Sequence, residues 1–185
     1  MIIDIQHFDE SKVSSAETFL VDTNILLYLH RPQTDKKEIA GKYSTFVNGL
    51  RRIGCTLVVS SLHLQEALNV IDRTCWKRYR DSLKKSGSNK KIDRKLFRTM
   101  PEERTKVKSE QRTFLRQVVQ FYEIKPESVS PDELIHYSDS LDKHYYDPVD
   151  FIIALHYYTF GIITDDQDFT HDTGIDTYTL IKTPT

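Results

Sequence analysis

The chain alternates short apolar runs with longer stretches whose apolar residues recur every three or four positions. Residues 18–22 (TFLVD) form the first run and end in an acid. Residues 24–31 follow with helical spacing of Ile25, Leu26 and Leu29, and Pro32 stops them. A second helix is predicted over 35–53, where Ile39, Tyr43, Phe46 and Leu50 share a face. Residues 56–60 (TLVVS) are β-branched and preceded by Gly54, so they read as a buried strand. Ser60 or Ser61 then caps a helix that runs through Arg80. Residues 86–91 (SGSNKK) carry linker chemistry. Pro101, with Glu102 and Glu103 behind it, opens a long helix to about Tyr122. EIKP suggests a short strand, and Pro131 to about Tyr145 a further helix. Asp147 and Pro148 start another, with Phe151, Ile152, Leu155 and Tyr158 on its apolar side. Residues 161–166 (GIITDD) and 177–182 (TYTLIK) read as the closing strands. Apolar strands separated by helices predict an α/β fold with a central parallel sheet covered on both faces.

Length then limits the organisation. The chain has 185 residues, which suits a single domain over 1–185. Residues 1–17 precede the alternation as an N-terminal extension, and residues 72–116 interrupt it as a basic helical insertion. With 38% hydrophobic and 11% aromatic residues, the composition is that of a folded chain rather than a disordered one. Uncharged apolar stretches such as 151–155 are too short to span a bilayer, so no membrane partner is expected. The start, MIIDIQHFDESK, holds acids and no apolar core segment, unlike a secretory signal. Two cysteines, Cys55 and Cys75, suggest neither a disulfide framework nor a zinc site, and a cytoplasmic location is expected.

The net charge of −1 conceals a segregation. Residues 73–116 hold sixteen Lys and Arg against five acids, an excess of +11, and the remainder carries −12. Such asymmetry is a sign of a nucleic-acid or membrane partner, and a merely solvated helical pair would carry it too; nucleic acid is favoured because clustered cations neutralise phosphates. Arg80, Lys84, Lys85, Lys90, Lys91, Arg94 and Lys95 are the expected contacts. Trp76, Tyr79 and Phe97 lie among them, either to stack on bases or to form the core of the inserted helices. An acidic protein partner would use the same charges.

Acids recur where strands end and helices start. Asp22 closes the first strand, Glu66 follows the second, Asp147 and Asp150 open a late helix, and Asp165, Asp166 and Asp168 follow the strand at 161. Each has an ordinary structural use, as a cap, a dipole partner or a solvated loop acid. Together they fall at one edge of a parallel sheet, where ligands bind in such folds. Converging carboxylates repel one another and need cations. An all-oxygen set suits Mg²⁺ or Mn²⁺. Beside a basic stretch, such a cation points to phosphodiester chemistry, through polarisation of the phosphoryl group and a lowered pKa of bound water. No Ser-His-Asp order, Gly-rich phosphate loop or G-x-S-x-G elbow is present. His63 precedes Glu66 by three residues and could line the site, although it reads better as a half-buried helix histidine.

VDTN at Asp22, S-x5-E from Ser60 to Glu66, DFIIA at Asp150 and T-x-D-x-D-F from Thr164 to Phe169 stand in one order along the chain. In these motifs the chain resembles the PIN-domain nucleases and is most similar to VapC-type toxin ribonucleases. The resemblance covers 18–70 and 120–182. It implies a PIN-like three-layer α/β/α sandwich and a hydrolase, an endonuclease acting on RNA as the toxin of a toxin–antitoxin pair. It assigns Asp22, Glu66, Asp150 and Asp166 as catalytic and metal-holding acids for one or two Mg²⁺ or Mn²⁺ ions. Asp168 is implied as an extra ligand, with Asp147 and Asp165 as neighbours. Thr23, Asn24 and Thr164 match positions that orient the acids through hydrogen bonds. RNA, a protein antitoxin and a second copy of the chain are the implied partners. The alternatives are a nuclease of RNA processing or of structured DNA, and a catalytically silent PIN module that binds nucleic acid or protein.

Overall fold

A computed structural model describes residues 1–31, 36–88, 90–127, 130–133, 135, 148–167, 169 and 175–180, with positions 10, 148–151 and 154 by backbone alone. Its elements are β1 (Ile2–Asp4), a single 3-10 turn (Glu10–Lys12), β2 (Thr18–Val21), α1 (Thr23–His30), α2 (Lys37–Ile53), β3 (Thr56–Ser60), α3 (Ser61–Lys85), α4 (Arg94–Thr99), α5 (Pro101–Phe121), β4 (Glu123–Lys125), α6 (Pro148–Tyr157), β5 (Gly161–Ile163) and β6 (Thr177–Thr179). The six strands form one sheet in the order β1-β6-β5-β2-β3-β4, and every neighbouring pair is parallel.

Two-residue alternation along the strands separates two layers of core. Phe19, Val21, Leu57, Val59 and Ile163 face the side covered by α1 to α5, where they join Tyr43, Leu50, Ile71, Phe97, Phe114 and Val118. Leu20, Val58 and Ile162 face the opposite side, against Ile153 and Tyr157 of α6, Phe169 and Ile175. The expected three-layer α/β/α arrangement is therefore present. Among the described residues, no helix is long and apolar enough to cross a membrane.

Two glycines answer local demands. Gly54 ends α2 at φ 98°, a left-handed turn in which it bonds back to the Leu50 and Arg51 carbonyls. Gly161 starts β5 where a Cβ would lie 2.5 Å from Tyr178 Cε2 and 2.9 Å from Phe19 Cδ1.

The structure departs from the sequence expectations in several places. The N-terminal extension contributes a strand that periodicity does not reveal, since three residues are too few to show alternation. β1 is ordered by its pairing with β6, where Thr177 N donates to the Met1 carbonyl at 2.7 Å. The strands expected at 161–166 and 177–182 are shorter, ending at Ile163 and Thr179. Beyond Ile163 the Thr164 N–H still donates to the Tyr178 carbonyl, while the Thr164 hydroxyl bonds Asp22 and the Asp166 N–H as the chain turns into the loop. α3 is one continuous helix from Ser61 to Lys85, so the basic stretch begins in mid-helix. Its later parts, including Ile92, Phe97 and Val107, enter the main core. Most of the helix expected from Pro131 to about Tyr145 lies outside the described residues.

Candidate active site

The sheet order creates the site. From β2 the chain moves to β3 and β4 on one side, then returns to β5 on the other side of β2. Successive connections diverge beyond the carboxyl ends of β2 and β5, the position at which ligands bind in such sheets. Asp22 follows β2 directly, and Thr164–Asp166 follow β5 directly.

Asp22 is the N-cap of α1, in extended conformation, and its carboxylate accepts the Thr23 backbone N–H. This is the cap that its sequence position suggests. The residue is only 5% exposed, which is unusual for an aspartate. Its Oδ2 accepts a 2.7 Å bond from the Thr164 hydroxyl. Burial pushes its pKa up to about 6 against these hydrogen bonds, and the negative charge of Asp166 pushes in the same direction. Asn24 contributes a backbone N–H that lowers it. Among the described residues no Lys or Arg forms an ion pair with Asp22, and the histidine nearest to it is His63, whose Nε2 lies 3.6 Å from Oδ1.

Two threonine hydroxyls knit the acids together. Thr164 Oγ1 donates to Asp22 and accepts the Asp166 backbone N–H at 2.9 Å. Thr23 Oγ1 lies 2.6 Å from Glu66 Oε2 and 3.2 Å from the His63 carbonyl. The single proton serves the shorter, charge-assisted bond to Glu66. Glu66 itself is exposed at the rim, one turn into α3.

Asp165 has another set of partners. Tyr28 of α1 donates to its Oδ2 at 2.9 Å, and the Tyr43 hydroxyl of α2 lies 3.1 Å from its Oδ1. Tyr43 also lies 2.9 Å from the Thr164 carbonyl and accepts the Leu180 N–H. Burial, with the nearby Asp165, raises both tyrosine pKa values, so both stay neutral donors. Asp165 therefore anchors the loop after β5 to α1 and α2.

The start of α3 is held from two directions. Ser60 Oγ caps it by accepting the His63 N–H at 3.0 Å. Glu127, beyond β4, accepts from Ser61 Oγ at 2.6 Å and from the Leu62 N–H at 3.3 Å, and it also receives the Tyr157 hydroxyl of α6. Glu127 thus ties the helix that carries Glu66 to the helix that carries Asp150. Sequence reasoning missed Glu127, Tyr28, Tyr43 and Tyr157, and no local signal marks them, since each partner is distant along the chain.

Asp22, Thr23, Asn24, Glu66, Thr164, Asp165 and Asp166 are therefore brought to one edge. Asp150 lies in the first turn of α6, and its side chain lies outside the described residues, as do Asp147 and Asp168. Among the described residues, no three His, Cys, Asp or Glu side chains gather closely enough to enclose a cation. The carboxylate donors and the buried Asp22, which Asp166 repels and which among the described residues no Lys or Arg pairs with, fit a hard divalent cation.

The basic residues are spread along α3, the connection after it and α4. Lys84, Lys85, Lys90, Lys91 and Lys95 are exposed. Arg80 stacks over the Trp76 ring at 4.9 Å, and the Trp76 indole donates to the Ile92 carbonyl at 3.1 Å. Phe97 is 1% exposed and meets Tyr79 at 5.6 Å, so these aromatics form helix core rather than a stacking platform. Arg94 is committed to Asp72, through Nε at 2.7 Å, and to the Asn69 carbonyl at 3.2 Å.

Comparison with known proteins bears on this arrangement. The PIN domain family matches residues 19–172. No curated protein matches the chain significantly. Among solved structures, a chain of VapBC2 from Rickettsia felis, crystallised bound to a DNA fragment from their promoter, superposes with a TM-score of 0.52. It is 16% identical and covers 88% of this chain and 98% of its own, a likeness of fold.

Proposed function

The chain belongs to the PIN-domain family, whose members are generally nucleases, and from that premise we propose that it is a divalent-metal-dependent endoribonuclease. One observation carries the reading: beyond the carboxyl ends of β2 and β5 the buried Asp22 carboxylate is held by the Thr164 hydroxyl, which also accepts the Asp166 backbone N–H, and by the backbone N–H of Thr23, whose hydroxyl holds Glu66. A carboxylate as buried as Asp22, with the Asp166 charge close enough to disfavour its ionised form, is costly unless that charge serves something.

In this reading Asp22, Glu66, Asp150 and Asp166, with Asp168 beside them, hold one or two Mg²⁺ or Mn²⁺ ions. A bound cation supplies positive charge that polarises a phosphodiester and eases proton loss from water. The chain's own groups do the rest. Thr164 and the Thr23 N–H hold the Asp22 carboxylate in one orientation. Thr23 fixes one Glu66 oxygen, leaving the other at the exposed rim to accept a proton from the attacking water. Asp165, held by Tyr28 and Tyr43, keeps the loop of Asp166 in place. The basic residues of α3 and α4 would hold the RNA backbone.

The VapBC2 likeness supports a partner as well. We extend the proposal to a protein antitoxin and to a homodimer of the chain, both carried by the family rather than by a contact.

The test is incubation of the purified protein with tRNA and ribosomal RNA in Mn²⁺ or Mg²⁺, with EDTA and Asp22→Asn as controls. Discrete cleavage lost in both controls is expected. Cleavage that persists in Asp22→Asn would overturn the site, and cleavage of structured DNA alone would move the substrate from RNA to DNA.

A further inference from the structure

A groove of about 360 Å³ lies between α3, α4 and α5, with Asn69, Asp72, Arg98, Arg104, Lys108 and Gln111 in its walls. Its position follows from helix geometry. Asn69 stands three residues beyond Glu66 on α3, so both side chains share a face, with Cβ atoms about 5–6 Å apart. The groove therefore opens one helical turn from the rim of the acid cluster.

Its charge is unbalanced. Asp72 is 8% exposed and takes both Arg94 and Arg98, at 2.6 Å and 2.8 Å, so two cations meet one carboxylate. Arg104 and Lys108, one turn apart on α5, have no carboxylate partner among the described residues, although other acids of the same helix are engaged. Glu103 pairs with Lys106, and Glu110 with Arg31 and Arg78. Glu103 and Glu110 are thus drawn away from the groove, and its mouth keeps the exposed Arg104 and Lys108 beside the cluster of Asp72 with Arg94 and Arg98. The partly apolar floor of Phe97 and Val107 excludes water beneath them.

We propose that this groove is a phosphate subsite, in which Arg104, Lys108 and Arg98 grip the sugar–phosphate backbone of the RNA next to the bond presented to the acids. The inference rests on the ribonuclease reading above and adds to it where the strand is held. Grip on the backbone carries no base preference. It sets the register of the strand against the acids, and Arg104 and Lys108 are positioning residues in this sense. The lysines at the far end of α3 and on the following turn are a separate, more distant contact, since Lys84 stands eighteen residues beyond Glu66, about 27 Å along the helix axis.

The test uses the full chain carrying Asp22→Asn, which keeps the RNA intact, and a fluorescein-labelled single-stranded RNA as probe. Anisotropy is read across a salt series for Asp22→Asn alone, with Arg104→Ala and Lys108→Ala added, and with Arg104→Lys and Lys108→Arg added. The alanine pair should weaken binding about tenfold or more at low salt, equally for unrelated RNA sequences. The slope of log affinity against log salt should flatten by about 1.4, about 0.7 for each lost phosphate contact. The charge-keeping pair should recover most of both, which a merely structural role would not produce. In the cleaving wild-type background the alanine pair should raise KM more than it lowers kcat. Unchanged affinity and slope in the alanine pair, with RNA still bound by the parent, would overturn the subsite and leave the nuclease reading standing. No RNA binding by the parent would overturn both.

Discussion

The Thr164 hydroxyl donates a 2.7 Å hydrogen bond to Asp22 Oδ2 across 142 residues of chain, and the same oxygen accepts the Asp166 N–H at 2.9 Å. One side chain thereby sets the position of two acids that arrive from different strands. Thr164 is fully buried, so neither bond can be replaced by solvent. Thr164→Val should cost about 1–3 kcal/mol of stability in the metal-free protein, because a buried acceptor and a donor lose their partner. Nuclease activity should fall by more than the folded fraction accounts for, and Thr164→Ser should recover both. Urea melts and cleavage rates on the three proteins check this.

Asp22 gives a prediction that needs no substrate. Its burial and the nearby Asp166 charge disfavour the ionised carboxylate when no cation is present. A bound divalent cation offsets that cost and stabilises the native state by mass action, about 2.7 kcal/mol at a hundredfold excess over Kd. Mn²⁺ should therefore raise the Tm of the wild type and leave that of Asp22→Asn unchanged. EDTA should reverse the shift. A Tm that responds equally in both proteins would place the cation elsewhere.

Asp72 controls how α4 sits on α3. Burial raises its pKa, but the guanidiniums of Arg98 and Arg94 outweigh it and hold the carboxyl below the ordinary aspartate value of 3.8. A depressed native pKa stabilises the fold above the unfolded value, and the contribution is lost as pH falls through the native one. Asp72→Asn should cost about 1–3 kcal/mol at neutral pH, a moderate figure because both arginines keep access to water. The gap between wild type and Asp72→Asn should be constant at neutral pH and close as the pH drops below about 4. Chemical denaturation at several pH values measures it.

Gly161 separates stability from chemistry. A Cβ there would press on Tyr178 and Phe19, whose rings meet edge to face at 5.1 Å. Tyr178 also touches Phe8 and Phe46, so it has little room to give. Gly161→Ala should destabilise by about 1–3 kcal/mol through overpacking. The strand runs from this residue toward the acids, which lie at its other end. The protein that remains folded should keep its cleavage rate. A loss of rate without a loss of Tm would show that the register of β5 against β2 feeds the site directly.

Much of this protein is legible in the sequence, for reasons of short range. The apolar runs at 18–21 and 56–60, the cap at Asp22, the cap at Ser60 and the Pro101 start of α5 all rest on contacts within a few residues. The motifs around Asp22, Glu66, Asp150 and Asp166 identify the family by the same local spelling. What only the tertiary structure decided is which groups meet. The place of β5 beside β2 lets Thr164 reach Asp22, and it depends on the order of the whole sheet. Tyr28 and Tyr43 hold Asp165 from other helices, and Glu127 joins the start of α3 to the end of α6. Arg94 looks like any other member of a basic run until Asp72 is found against it, and Arg104 and Lys108 stand out only because Glu103 and Glu110 turn elsewhere. Helical period and capping chemistry are written within one or two turns, whereas a hydrogen bond or ion pair between distant segments exists only after packing has chosen their neighbours.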